Sequence, residues 1–146
     1  MHRVTIYIET DSACPRKMPR QTAAIIECET VKGPAQIGMF RETETTYQRA
    51  MLQALIGALE KLNQTCEIEV CMGDGFIENS VKLHLPVWRM HEFKNSKGED
   101  IKNREEWGQL TQLLDRHLLT FTIGRHTYTD WMIREMEKRK NETEKI

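Results

Sequence analysis

Apolar positions recur along this chain with two periods, and the changes of period lay out its elements. Val4, Ile6 and Ile8 alternate with Thr5 and Tyr7. So short a β-branched run reads as a buried strand rather than a helix. It ends in two carboxylates, Glu9 and Asp11, at the kind of strand end where α/β sheets collect ligands. Residues 22–29 predict a second strand, the glycine and proline of 31–34 a turn, and residues 36–40 a short third strand, together an antiparallel meander. Pro15 and Pro19 predict a loop over residues 13–20.

The period then changes. Ala50, Met51, Ala54, Leu55, Ala58, Leu59 and Leu62 recur every three or four residues, the mark of a helix with a wide apolar stripe. Thr45 and Gln48 suit a capping box at its start, and residues 63–65 end it. Residues 66–72 alternate again. A strand, a helix and a strand imply a right-handed crossover with parallel pairing, which would bring Asp74 to the same sheet end as Glu9. Residues 76–85 predict a helix stopped by Pro86. An aromatic connector follows at 87–93, then a polar loop with lysines at 94–103. Asn103 would cap a helix whose apolar face is Trp107, Leu110, Leu113, Leu114 and Leu118. Residues 118–123 predict the fifth strand and 124–128 a turn. Asp130 opens a final helix running from Trp131 to about Lys138.

Length and charge narrow the class. The 146 residues suit one domain, expected over residues 1–140 with a flexible charged tail at 141–146. With 21 basic and 22 acidic residues the net charge is −1, so no global field draws in nucleic acid or an anionic membrane. Polyanion binding would need a local basic patch, for which Arg16, Lys17 and Arg20 beside the first strand are candidates. No apolar run approaches the roughly 20 residues of a membrane helix, and the first residues have no signal-peptide layout. The expected location is the cytoplasm. Cys14, Cys28, Cys66 and Cys71 form no C-x-x-C pair and no zinc-type spacing, and read as reduced thiols.

The element order and three segments resemble the ribonuclease H family. Residues 45–54 (TTYQRAMLQA) look like its T-x-N-x-R-x-E-L-x-A helix start, and Leu59-Glu60-Lys61-Leu62 like the continuation. Residues 93–107 look like its W-K-x-x-x-G-x-x-V-K-N-x-x-L-W segment, the most specific match. The resemblance covers residues 3–138, without the basic insertion that some members carry. It implies an α/β ribonuclease-H-like fold, a five-stranded mixed sheet of order 3-2-1-4-5 with helices on both faces. The family cuts the RNA strand of RNA–DNA hybrids with two divalent metals held by four carboxylates, assisted by a histidine. Two such ions activate water and stabilise the leaving oxygen, and hard cations take oxygen ligands.

Carried over residue by residue, the first-strand acid falls on Glu9, with Asp11 in reserve. The fourth-strand acid falls beside Gly73 on Asp74, the last-helix acid near Asp130, and the histidine on His126. The helix glutamate falls on Met51, which cannot bind a hard metal. The resemblance thus implies Glu9, Asp74, Asp130 and His126 as catalytic candidates, and Glu9, Asp11, Asp74 and Asp130 as ligands of Mg²⁺ or Mn²⁺ if the chain is active. Arg16, Lys17, Gln48, Lys94, Lys97, Lys102 and Arg125 are the nucleic-acid-binding candidates. Each acid alone also fits a strand-end or cap role. Three functions follow as expectations. The first is a protein that binds RNA–DNA hybrid or duplex with weak or lost nuclease activity. The second is an active hybrid ribonuclease with altered carboxylates. The third is a protein-binding scaffold, which would need an exposed apolar patch near Trp88, Phe93 and Trp131.

Overall fold

The computed structural model describes residues 2–144. Its sheet is built around β1 (His2–Thr10), which pairs antiparallel with β2 (Met18–Thr30) and parallel with β4 (Cys66–Met72). β3 (Gly33–Thr45) runs antiparallel to β2 at one edge, and β5 (Leu118–Ile123) parallel to β4 at the other. The order is β3-β2-β1-β4-β5, as the resemblance implied. Alternation along β1 divides the molecule. Val4, Ile6 and Ile8 face the main core, while Tyr7 packs on the opposite face with the second cluster.

The main core lies between the sheet and helices α1 (Tyr47–Glu60) and α4 (Arg104–Leu114). There Met51, Leu52, Leu55 and Leu59 meet Ile6, Ile68, Val70, Trp107 and Leu110. On the other face, α5 (Thr129–Glu144) sets Met132 and Met136 against Ala23 and Ile25. Helices therefore cover both faces. The described residues include four unpaired cysteines, and no described helix is long and apolar enough to cross a membrane.

Several expected boundaries move, each for a local reason. Regular structure begins at Met18 and so includes Pro19 and Arg20. Pro19 is the second residue of β2, while pairing to β1 reaches no further than Thr22, so its missing N–H breaks no ladder on that side. β3 runs far beyond residues 36–40. As a solvent-facing edge it needs no apolar alternation, and its polar second half gave no strand signal. Thr46, not Thr45, caps α1, accepting from the Arg49 N–H, and the helix closes at Glu60 rather than 63–65.

Pro86 does not stop the helix before it. α2 (Phe76–Asn79) passes through a π-helical turn at Ser80–His84 into α3 (Leu85–Met90). The Leu85 N–H reaches back to the Ser80 carbonyl, so the π-helical turn breaks the i to i−4 ladder just before Pro86, which has no N–H to add to it. Asn103 is left-handed (φ 59°) and makes no side-chain cap; its carbonyl accepts from Trp107 N–H at 3.0 Å. Leu118 belongs to β5 and is 60% exposed, outside the apolar face of α4. α5 starts at Thr129 and reaches Glu144, so the first four residues of the expected tail are helical. Lys145 and Ile146 lie outside the described residues.

Candidate functional site

The parallel register sets Tyr7 beside Cys71, so the carboxyl ends of β1 and β4 emerge together. Glu9 shares the face of Tyr7, against the loop that enters α5. Its side chain is only 13% exposed. Thr129 donates its hydroxyl to Glu9 Oε1 at 2.8 Å, and the same hydroxyl accepts the His126 N–H at 3.0 Å. His126, 5% exposed, holds Nε2 3.0 Å from Glu9 Oε1, within ion-pair distance but out of line for a hydrogen bond. Its Nδ1 accepts the Tyr128 N–H at 3.2 Å, which leaves Nε2 as the ring nitrogen that carries a proton. Tyr7 closes the pocket, its ring centroid 5.0 Å from that of His126 and edge-on to Tyr128 at 4.9 Å.

Asp74 is exposed, and its Oδ1 accepts the Phe76 N–H at 2.8 Å. Above it stands Tyr47, the first residue of α1, buried. Burial first, then the Asp74 carboxylate as a charge and hydrogen-bond acceptor, and Glu9 beyond, push the Tyr47 phenol well above its usual range; Arg20 opposes them. Tyr47 lies one helical turn before Met51 on the same helix face. Met51 itself is 2% exposed and packed in the main core. Asp11 Oδ1 accepts the Gln21 N–H at 2.9 Å, in line with the β1–β2 ladder. Asp130 is exposed and pairs with Arg125. The fold thus gathers Glu9 and His126 tightly, sets Asp74 near them through Tyr47, and binds Asp11 and Asp130 to other partners. Among the described residues, no group of three or more His, Cys, Asp or Glu side chains is placed to hold one ion.

The basic candidates divide in the same way. Arg16 and Lys17 are exposed on the loop after β1, and Gln48 is exposed on the first turn of α1. Arg20 is not a rim cation. It is 3% exposed and donates to the carbonyls of Thr45 (3.0 Å), Ser12 (2.6 Å), Cys14 (2.8 Å) and Arg16 (2.7 Å), which fixes the loop against the start of α1. Lys94 is engaged by Asp100 across a small hairpin, and this contact holds the Asp100 carboxyl below its ordinary range. Lys97 and Lys102 are exposed on or beside that hairpin. The sequence reading did not single out Tyr7, Tyr47 or Thr129. Their one signal was proximity, since Tyr7 lies two residues before Glu9, Thr129 three after His126 and Tyr47 beside Gln48.

Residues 1–126 match the family model for RNase H. The chain belongs to the ribonuclease H family. A Ribonuclease H of Caldicellulosiruptor saccharolyticus is 30% identical over 132 residues, covering 89% of this chain and 88% of that protein. The Ribonuclease HI of Neisseria meningitidis serogroup B is 26% identical over 124 residues, covering 81% and 80%. Among solved structures, LC9-RNase H1, described as a type 1 RNase H with the type 2 active-site motif, superposes with a TM-score of 0.74 at 14% identity. The match covers 95% of this chain and 70% of that one. The foamy viral protease-reverse transcriptase in complex with RNA/DNA hybrid gives 0.65 at 16%, covering 94% of this chain and 19% of that one.

Membership makes the metal question pointed, because a ribonuclease H centre for two hard cations needs carboxylates that converge. Here Met51 is a thioether in the core, Glu9 Oε1 faces an imidazole and a hydroxyl, Asp130 faces a guanidinium, and Asp74 is exposed nearby. Arranged so, the described donors do not converge to fit a pair of Mg²⁺ or Mn²⁺ ions.

Proposed function

We propose that this ribonuclease H family member binds RNA–DNA hybrid or duplex nucleic acid and has weak or lost nuclease activity. The observation that carries the reading is Met51, buried in the core where the family pattern places its helix glutamate. Around the same sheet end, Arg16, Lys17 and Gln48 remain free to meet a sugar–phosphate backbone, with Lys97, Lys102 and the paired Lys94 and Arg125 as outlying contacts. Support also comes from the names of the relatives and from the foamy viral protease-reverse transcriptase, part of which has a similar fold and which was solved in complex with RNA/DNA hybrid.

The test is a titration of hybrid and of DNA duplex at several salt concentrations. Affinity should fall linearly in logarithmic coordinates, with a slope set by the phosphates neutralised. Arg16→Ala with Lys17→Ala should weaken binding and shallow that slope. No binding at low salt, or a flat dependence, would contradict the reading. In parallel, a labelled hybrid with Mg²⁺ or Mn²⁺ should stay essentially uncut. The second reading, an active nuclease, is favoured by one observation: Glu9, Asp74 and His126 persist at one sheet end. It requires cutting that Glu9→Gln or Asp74→Asn abolishes.

A further inference from the structure

We infer that Glu9, His126 and Thr129 form an internal latch, in which protein groups occupy one carboxylate oxygen of Glu9 and clamp α5 to β1. The inference concerns how the same sheet end is held and rests on the reading of that end as the site, but not on any affinity for nucleic acid.

Three observations support it. First, one oxygen, Glu9 Oε1, has both the Thr129 hydroxyl at 2.8 Å and His126 Nε2 at 3.0 Å. A cation at bonding distance from that oxygen would have to displace one of them, which leaves only Oε2 of the carboxylate to a metal. Second, the partners are themselves fixed. The His126 N–H donates to Thr129 Oγ1, the Tyr128 N–H to His126 Nδ1, and the Tyr7 ring packs tilted against the imidazole. Thr129 is 4% exposed. Third, of the groups that would have to cooperate with Glu9 in holding ions, Asp130 pairs with Arg125 and the Met51 side chain lies in the core, which leaves the exposed Asp74.

The latch also has mechanical content. Thr129 is the first residue of α5, and the Met132 N–H bonds to the Tyr128 carbonyl at 2.9 Å, so the pull on Glu9 acts on the opening turn of the helix. His126 and Thr129 are therefore positioning residues for α5, and Glu9 is their anchor in the sheet.

The test uses the full chain and Mn²⁺ alone as the probe. Mn²⁺ binding is followed by calorimetry or by its electron paramagnetic resonance signal. Glu9→Gln keeps the side-chain size but removes the charge that faces His126 and weakens the charge-assisted bond from the Thr129 hydroxyl. It should leave Mn²⁺ binding unchanged from the parent, because Glu9 is not a ligand there, while amide exchange at Met132 accelerates. His126→Ala with Thr129→Val should raise Mn²⁺ affinity about tenfold or more by freeing the carboxylate. Loss of Mn²⁺ binding in Glu9→Gln, or unchanged exchange at Met132, would overturn the inference. So would unaltered Mn²⁺ affinity in a folded double variant. If the double variant does not fold, Glu9→Gln still decides between ligand and latch. Hybrid affinity, measured separately on the parent, tests the functional reading and is independent of these outcomes.

Discussion

The Arg20 guanidinium lies out of water with four backbone carbonyls around it, three of them in the loop that follows β1. A planar fork offers five donors at fixed angles, whereas a lysine ammonium offers three on one atom. Arg20→Lys should therefore cost roughly 1–3 kcal/mol in urea unfolding with an unchanged m-value, because buried carbonyls lose their donors. The same residue shows why side-chain roles were only partly legible. Glu9, Asp74 and His126 could be named because residue type and resemblance converge on them. Arg20 stands among Arg16, Lys17 and two prolines, a context that locally reads as a solvated basic loop. Its burial is decided by β3 and the start of α1, some 25 residues on. Asp11 and Asp130 show the complementary limit. Carboxylate chemistry suited them to metal, and in the structure one accepts a backbone N–H and the other pairs with Arg125. A sequence names an acid without naming what it faces.

Elements were most legible where one face is buried and the other is wet. β1, β4 and α1 have the periodicity that such a boundary imposes, and their existence and order follow from it. β3 lacks that constraint along much of its length, and its extent became visible only through its pairing with β2. The helix through Pro86 was misjudged because a proline stop assumes regular i to i−4 bonding, which the π-helical turn suspends. At the start of α1 the strand reaches Thr45, and the cap passes to the next residue. α1 has no acidic residue in its first turn, so Thr46 carries the local N-terminal stabilisation. Thr46→Ala should lower stability by about 0.5–2 kcal/mol, and Thr46→Ser should recover most of it, both read from chemical denaturation.

At the scale of the whole molecule, one buried imidazole links stability to pH. His117 Nδ1 accepts the Cys66 N–H at 3.0 Å, tying the entry to β5 to the start of β4, and Nε2 is buried without a partner. Burial, with Arg116 adding to it, pushes the His117 pKa below its ordinary value. The folded chain therefore keeps this ring neutral, while the unfolded chain takes up a proton near pH 6.5. The stabilisation is fully present above about pH 6.5 and is lost as pH falls towards the lower folded value. Thermal unfolding should show the melting temperature dropping between neutral pH and about pH 5. His117→Asn should flatten that drop; an identical drop in the variant would assign it elsewhere. The candidate site has a different whole-chain property. Glu9 is synthesised 120 residues before Thr129. The β1–β2–β3 meander uses short connections and can form early, but contacts of such long sequence separation close late. During synthesis, then, the sheet edge around Glu9 exists before its cover does. A chain interrupted ahead of the last helix would carry that carboxylate bare to solvent.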